Sequence, residues 1–572
     1  TYNAGPVNAD TYQQPADPGY SGYTLKYYYD STANGNEGIG RRTSTSDANS
    51  TTSWTYNTLG QVADTTWLIG GALTYKTCST YDAFGRLRSQ RIPSTSNCTG
   101  ELLTYNYNVM GALESVSGAA NYITNIDYAA SGQVNETYLG NGIVSQSCYN
   151  ANNLRLAQIR AYPGSLTSCV NANPASTRFS LSYQQYDNVG NLKQVFDATR
   201  NETISYNYDD LDRLLSVTGA YSQNFGYNVI GNLTNKAGVT LNYPASGPSS
   251  ARPHAVSSLS TGETYQYDAN GNMTQRVEGG LTYTQNFDTE NRMTSVVVSG
   301  QTTQFVYDPD GNLLAKAKPD GSGTLYLGGL YEVDLTSVGV TTKKTTYYPG
   351  GAMRVDIVGG TNTLHYTLKD HPSTSLRTSL GSASVLLDSS GNLVTNGEQR
   401  YYPFGESRLA GTDLKTDHLF TGQLSVGLGG IYHYGARFYS SKLGRFLSAD
   451  TIVPDWKYPQ SLNRYSYVYN NPLKYVDPTG HEACYGTSYN IGTGQGDISQ
   501  ADCWAIQATV QAISATGVDA GGIWSYDTSE GGQGGDSEIG FKRLTNGDKY
   551  IYDLWASGHE VVSYSRFGAS NV

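Results

Sequence analysis

Two aspartates late in this chain stand inside short, distinctive motifs. Asp450 closes Leu443-Gly444-Arg445-Phe446-Leu447-Ser448-Ala449-Asp450, and Asp477 opens Asp477-Pro478-Thr479-Gly480. From Tyr401 onward the sequence is dense in aromatics, Gly and Arg, and Arg437 lies in Tyr432-His433-Tyr434-Gly435-Ala436-Arg437-Phe438-Tyr439. Carboxylates held close cannot both ionise. A pair can share one proton, one member activating water while the other protonates a carbonyl or amine. A fixed guanidinium stays charged and offers planar paired donors, so it could orient a carboxylate or stabilise an oxyanion. The same residues have plainer uses. An Asp before Pro commonly starts a turn, and Asp450 could cap a short helical turn over Thr451 to Trp456.

The elements that must position these residues are written as a repeat. Between Tyr56 and Asn312 one phrase recurs: an aromatic, usually Asp or Asn, two loose residues, then Gly, a polar residue and an aliphatic. Clear copies are Tyr81-Asp82-Ala83-Phe84-Gly85-Arg86-Leu87, Tyr186-Asp187-Asn188-Val189-Gly190-Asn191-Leu192, Tyr267-Asp268-Ala269-Asn270-Gly271-Asn272-Met273 and Tyr307-Asp308-Pro309-Asp310-Gly311-Asn312-Leu313. Weaker copies start at Tyr56, Tyr107, Tyr128, Tyr149, Tyr208, Tyr227 and Phe287, and successive anchors lie mostly 19 to 26 residues apart. The longer gaps, Tyr149 to Tyr186 and Tyr227 to Tyr267, each read as one degenerate copy skipped. Asp or Asn followed by Gly supplies a turn, and flanks such as Thr303-Gln304-Phe305-Val306-Tyr307 alternate as half-buried strands. One repeat is then a hairpin-like unit, and neighbours stack edge to edge into a long antiparallel sheet. Unrelated hairpins in a sandwich would not need one phrase at constant spacing.

The period and the phrase resemble the YD repeats of the Rhs family, which includes the C components of bacterial ABC toxin complexes, Rhs effectors and the teneurin ectodomain. The resemblance spans roughly residues 20 to 480. It implies a mainly β fold, a spiralling antiparallel sheet that forms a hollow shell. The segment with Tyr401-Tyr402-Pro403-Phe404-Gly405-Glu406, Phe420-Thr421-Gly422-Gln423 and Asn463-Arg464-Tyr465-Ser466-Tyr467 resembles the Rhs repeat-associated core, which plugs one end of such a shell. In that family the core is an intramolecular aspartic protease that cuts just after a DPxG motif. The resemblance puts the catalytic arginine on Arg437 and the two aspartates on Asp450 and Asp477, with the cut between His481 and Glu482. This chain departs from the family twice. The residue after DPxG is usually Leu and is His481 here. The family's D-H-L-G-S phrase is split, with Pro372 to Ser379 between Asp370-His371 and Leu380-Gly381-Ser382, as an outward surface loop would be.

Composition fits the resemblance. There are 49 tyrosines against 12 phenylalanines, and only 15% of residues are charged. A dry core would favour Phe and Leu, whereas a curved sheet with water on both faces tolerates Tyr. A chain of 572 residues exceeds one compact core. The formal charge of −11 argues against nucleic-acid binding by the shell.

The six cysteines form pairs Cys78/Cys98, Cys148/Cys169 and Cys484/Cys503, separated by 20, 21 and 19 residues. About twenty residues is one repeat, so partners could face each other on neighbouring strands and bond in an exported protein. The alternative is six partly buried free thiols. No CxxC or Cys/His spacing suggests zinc, and no metal or other cofactor is expected. No transmembrane stretch or signal peptide is visible, and the Ser/Thr/Asn/Tyr-rich opening lacks an initiator Met. The chain therefore reads as the C-terminal part of a longer polypeptide, secreted or at the cell surface.

The expected organisation is a shell over 1–360, a core with the protease site over 361–481 and a small α+β module over 482–572. Within that module 499–516 reads as an amphipathic helix, and Lys549 to Trp555 and Glu560 to Ser565 read as strands. With 4 Lys/Arg against 11 Asp/Glu the module lacks the basic character of a typical nuclease. Asp553, His559 and Glu560 could form an acid–base cluster or be ordinary surface residues, and no motif identifies a substrate. The preferred function is a polymorphic-toxin carrier whose shell encloses its own C-terminal module as cargo and frees it by self-cleavage. A shell-closing or delivery partner and an immunity protein would accompany it. The alternatives are an adhesion or structural shell without proteolysis, and a decayed effector.

Overall fold

Each copy of the phrase folds as its residues require. Asp82 Oδ1 accepts the backbone N–H groups of Phe84 and Arg86, and the Gly85 N–H donates to the Asp82 carbonyl, so one Asp closes the turn. The phrase glycine takes positive φ, 91° at Gly271; where it is replaced, Asp212 and Asn291 hold φ of 61° and 62°. These are the residue types that tolerate that region best. The Arg that can follow pairs with its own Asp and covers the next copy's Tyr. Arg213 lies 2.6 Å from Asp209, and its guanidinium carbon is 4.4 Å from the centre of the Tyr227 ring.

The tyrosines tie each copy to the one before. Tyr107 donates its hydroxyl to the Leu87 carbonyl at 2.8 Å, Tyr128 to Leu113, Tyr208 to Leu192 and Tyr227 to Leu214, each at 2.7 Å, and Tyr149 to Val134 at 3.1 Å. In every case the acceptor belongs to the aliphatic residue of the preceding copy. Tyr243, inside the long gap after Tyr227, donates to Leu233 at 2.7 Å and so occupies the skipped copy's place. The excess of Tyr over Phe thus has a different cause from wetted faces. Tyr105, Tyr122, Tyr183 and Tyr206 are buried, and the ladder tyrosines use a hydroxyl where Phe would leave a carbonyl unpaired.

The structure is a computed structural model describing residues 10–13, 24–95, 97–164, 169, 176–247, 250–370, 381–453, 458–481, 484–485, 539–546, 549–556 and 559–565. Its main sheet has 34 strands, from Asp10–Gln13 to Leu393–Glu398, each antiparallel to its sequence neighbours, as in Glu202–Tyr208 with Leu214–Gly219. Side chains tie together segments distant in sequence as the chain winds. Arg42 pairs with Asp310 and Arg400 with Asp197, while Asn141 donates to the Asp388 carbonyl at 3.1 Å and Arg178 to that of Gly391 at 2.8 Å. The result is one wound β-shell, in which buried apolar residues from Trp67 to Val468 pack into one large cluster. A partly open cavity of about 1430 Å³ is lined by Trp54, Ser147, Leu327, Thr367, Arg437 and His481 among others.

After Glu398 the pairing passes to small sheets, including four short strands, Leu424–Ser425, Ile431–His433, Phe438–Ser440 and Arg445–Phe446. Around them Tyr434, Tyr439, Phe446 and Tyr467 are buried, with ring centres 4.7 to 6.0 Å apart. An Asn-rich run stitches this plug to the turns of the repeats. Asn463 donates to the Gly231 carbonyl at 3.0 Å, Tyr465 to Gly271 at 2.7 Å and Asn471 to Asp212 at 2.8 Å.

Cys78 and Cys98 are joined with Cα atoms 5.7 Å apart, and Cys148 and Cys169 with Cα atoms 5.8 Å apart. The Cys484–Cys503 pairing lies outside the described residues, as do the expected helix over 499–516 and the inserted loop 372–379. Of the tail, Ile539–Asn546, Lys549–Ala556 and His559–Ser565 form a three-stranded antiparallel sheet, matching the two strands expected and adding one. Among the described residues no helix is long and apolar enough to cross a membrane.

Candidate active site

Local chain folding brings Arg437 and the DPxG turn together. The Tyr434 N–H donates to the Arg437 carbonyl at 2.9 Å, and the Ala436 N–H donates to the Thr479 carbonyl at 2.9 Å. Gly480, at φ 83°, is packed so closely that a Cβ would lie 2.6 Å from the Tyr434 carbonyl oxygen, so only glycine fits there. On the other side, the Asp450 N–H donates to the Arg464 carbonyl at 2.9 Å.

The three sequence-derived residues meet, all buried: Arg437 is 6% exposed, Asp450 4% and Asp477 3%. Arg437 Nη2 lies 2.8 Å from Asp450 Oδ2 and 3.5 Å from Asp477 Oδ2, so one guanidinium bridges both carboxylates. Its Nε donates to the Gly480 carbonyl, its Nη1 to the Arg464 carbonyl at 2.9 Å, and its face covers the Phe446 ring at 3.6 Å. Burial pushes the Asp477 carboxyl up to about 6; the nearby Arg437 opposes this and Asp450 adds to it. Burial also pulls the Arg437 guanidinium down, against the two carboxylates.

The plainer roles are present in the same atoms. Asp477 Oδ1 accepts the N–H groups of Thr479, Gly480 and His481 at 3.2, 2.7 and 3.1 Å, which builds the turn itself. Asp450 Oδ1 accepts the Ile452 N–H at 2.9 Å, an Asx turn, and residues 451–453 are not helical; 454–457 lie outside the described residues. Of the expected cut His481–Glu482, His481 is described, and its Nδ1 lies 2.7 Å from Asp450 Oδ1.

Sequence reasoning passed over two residues. Gln423 donates from Nε2 to the carbonyls of Asp477 and Pro478, each at 3.2 Å, and Arg464 donates from Nε to the Asp450 carbonyl. Gln423 ends the quoted motif Phe420-Thr421-Gly422-Gln423 and Arg464 sits in another, so motif membership was the available signal. In the tail, Asp553 pairs with Ser563 while Glu560 faces Trp555 and His559 faces Ala556 across the ladder, which places the three on two adjacent strands. The described residues with metal-like clustering, Asp64 with Cys78 and Cys98, contain a disulfide rather than free thiolates.

Fold and site together define a class: a wound antiparallel β-sheet with a buried Asp–Arg–Asp cluster, of which Arg437 alone reaches the larger cavity. Solved structures of that architecture exist. A TcdB2-TccC3-Cdc42 structure superposes with a TM-score of 0.66 at 20% identity, covering 83% of this chain and 26% of that one. A Photorhabdus luminescens Tc holotoxin pore superposes with a TM-score of 0.59 at 20% identity, covering 85% of this chain and 25% of that one. Among curated proteins, toxin subunit YenC2 of Yersinia entomophaga is 32% identical over 106 residues, which is 17% of this chain and 10% of YenC2. The chain thus spans about a quarter of the solved relatives and its match about a tenth of the curated one. No family model matches. The fold is that of the toxin-complex shell.

Proposed function

We propose that this chain is the C-terminal part of a secreted polymorphic-toxin carrier, in which a YD-repeat shell encloses the module beyond residue 481 and an Rhs-type core severs it from the shell chain. The reading divides the chain into the shell over 1–360, the core over 361–481 and the cargo over 482–572. The supporting observation is the single cluster formed by Arg437, Asp450 and Asp477 around the Gly480–His481 turn.

In this reading Asp450 takes a proton from water as the water oxygen attacks the His481 carbonyl carbon. Asp477, whose carboxyl is pushed up by burial, supplies a proton toward the carbonyl oxygen. Collapse of the tetrahedral intermediate breaks the C–N bond, and the proton follows the Glu482 nitrogen. His481 is left with a free carboxylate. Arg437 holds the acids and the Gly480 carbonyl in one frame, which is positioning rather than proton transfer. Because target and acids share one chain, the step is unimolecular.

A cargo severed yet confined cannot harm its maker and can leave when the shell opens. Native size-exclusion chromatography should therefore keep both fragments in one peak, while the same sample run in denaturant separates them. A tail fragment eluting free under native conditions would rule out enclosure. A chain that never fragments would favour an adhesion or structural shell.

A further inference from the structure

The position after the DPxG glycine holds a histidine here, and the proposed reaction leaves its imidazole without a task. Asp450 Oδ1 already accepts the Ile452 N–H at 2.9 Å and lies 2.7 Å from His481 Nδ1, while Oδ2 pairs with Arg437 at 2.8 Å. A carboxylate oxygen offers about two acceptor sites. The amide and the imidazole therefore fill Oδ1, and Arg437 takes one of the two sites on Oδ2, so a single acceptor site on Asp450 is left for a water that is to pass it a proton. The Ile452 amide is fixed by its main chain. The Arg437 guanidinium is buried and tied to Gly480, Arg464 and Asp477 as well. The His481 side chain, 27% exposed, is the movable donor of the three.

We propose that His481 is a positioning residue that brakes the cut: its imidazole occupies one of the two acceptor sites that Ile452 and Arg437 leave on Asp450, and so restricts how the attacking water reaches the base. The contact is a hydrogen bond to a buried carboxylate, which is stronger than one between neutral groups. The brake rests on the autoproteolytic reading, while the contact beneath it can be tested without cleavage.

The whole chain is pulse-labelled in cell-free translation and chased. The unmutated chain is compared with His481→Leu and His481→Asn. His481→Leu should cleave about tenfold faster than the unmutated chain, the scale of one hydrogen bond to a charged group. His481→Asn keeps a donor and should stay closer to the unmutated rate than His481→Leu does. A His481→Leu chain that matches or trails the unmutated chain overturns the brake. Independently, the Asp477→Asn chain, made uncleavable and labelled with 15N histidine, should show a His481 imidazole resonance that moves when Asp450→Asn is added. A resonance indifferent to Asp450→Asn overturns the inference even if cleavage proceeds. A resonance that responds in chains that never cleave in any variant overturns the autoproteolytic reading and the brake with it.

Discussion

Asp477 Oδ1 accepts the backbone N–H of His481 at 3.1 Å, so the acid folds over the residue whose carbonyl it is proposed to protonate. The same oxygen accepts the Gly480 N–H at 2.7 Å, and Arg437 fixes the Gly480 carbonyl from the other side. Turn and target are one structure, and this has consequences that mutation can expose.

Arg437→Lys should slow cleavage by about a hundredfold or more, the usual range for removing a preorganised electrostatic donor. An ammonium cannot bridge Asp450, Asp477 and the Gly480 carbonyl at once. Cleavage half-life in the pulse-chase format is the readout, with the circular-dichroism melting curve as the control for folding. A lysine variant as fast as the unmutated chain would remove Arg437 from the account.

Asp477 should impose a pH limit. Its carboxyl is pushed up to about 6, so the proton-donating form survives above the ordinary carboxylate range and is lost as pH rises through 6. In the His481→Leu background the rate should decline as pH rises above that point. A rate that climbs steadily from acid to neutral pH would show that Asp477 is not the acid.

The tyrosine ladder is open to a direct stability test. Tyr208→Phe removes the donor to the Leu192 carbonyl and should cost about 1 kcal/mol, the usual net worth of one hydrogen bond. Chemical denaturation of the uncleavable Asp477→Asn chain is the measurement. Phe at this position with unchanged stability would mean that the hydroxyl contacts are incidental to the repeat.

Cys78–Cys98 and Cys148–Cys169 close loops separated by 20 and 21 residues. Each should contribute roughly 3 kcal/mol in the chain-entropy model. Peptide mapping of the oxidised protein should recover both linked pairs, and reductant should lower the melting temperature. Recovery of all four cysteines as free thiols would return the chain to the reduced reading.

Much of this architecture was legible because a repeat states its geometry many times. Asp82, Asp187 and Asp268 announce turns, and the alternation around Phe305 announces strands. The meaning of the tyrosines was not legible, because the acceptor of Tyr208 is the main chain of Leu192, and main-chain acceptors leave no residue type to read. At the site, Arg437, Asp450 and Asp477 could be named only through the resemblance. The spacing between them says nothing about distance, and the contacts that close it, Ala436 to Thr479 and Asp450 to Arg464, are again main chain. His481 was visible as a departure from Leu. Its partner was not, since Asp450 lies far back in the sequence and reaches it only through the plug's folding.

The central claim is that this chain cuts itself after His481, and the intact mass of the purified, unmutated protein under denaturing conditions tests it most directly. The account predicts two masses whose sum is that of the whole chain plus one water, with the break between His481 and Glu482, and a single uncut mass for Asp450→Asn. One full-length mass for the unmutated chain at every pH from acid to neutral, in a protein whose shell is folded, would contradict it.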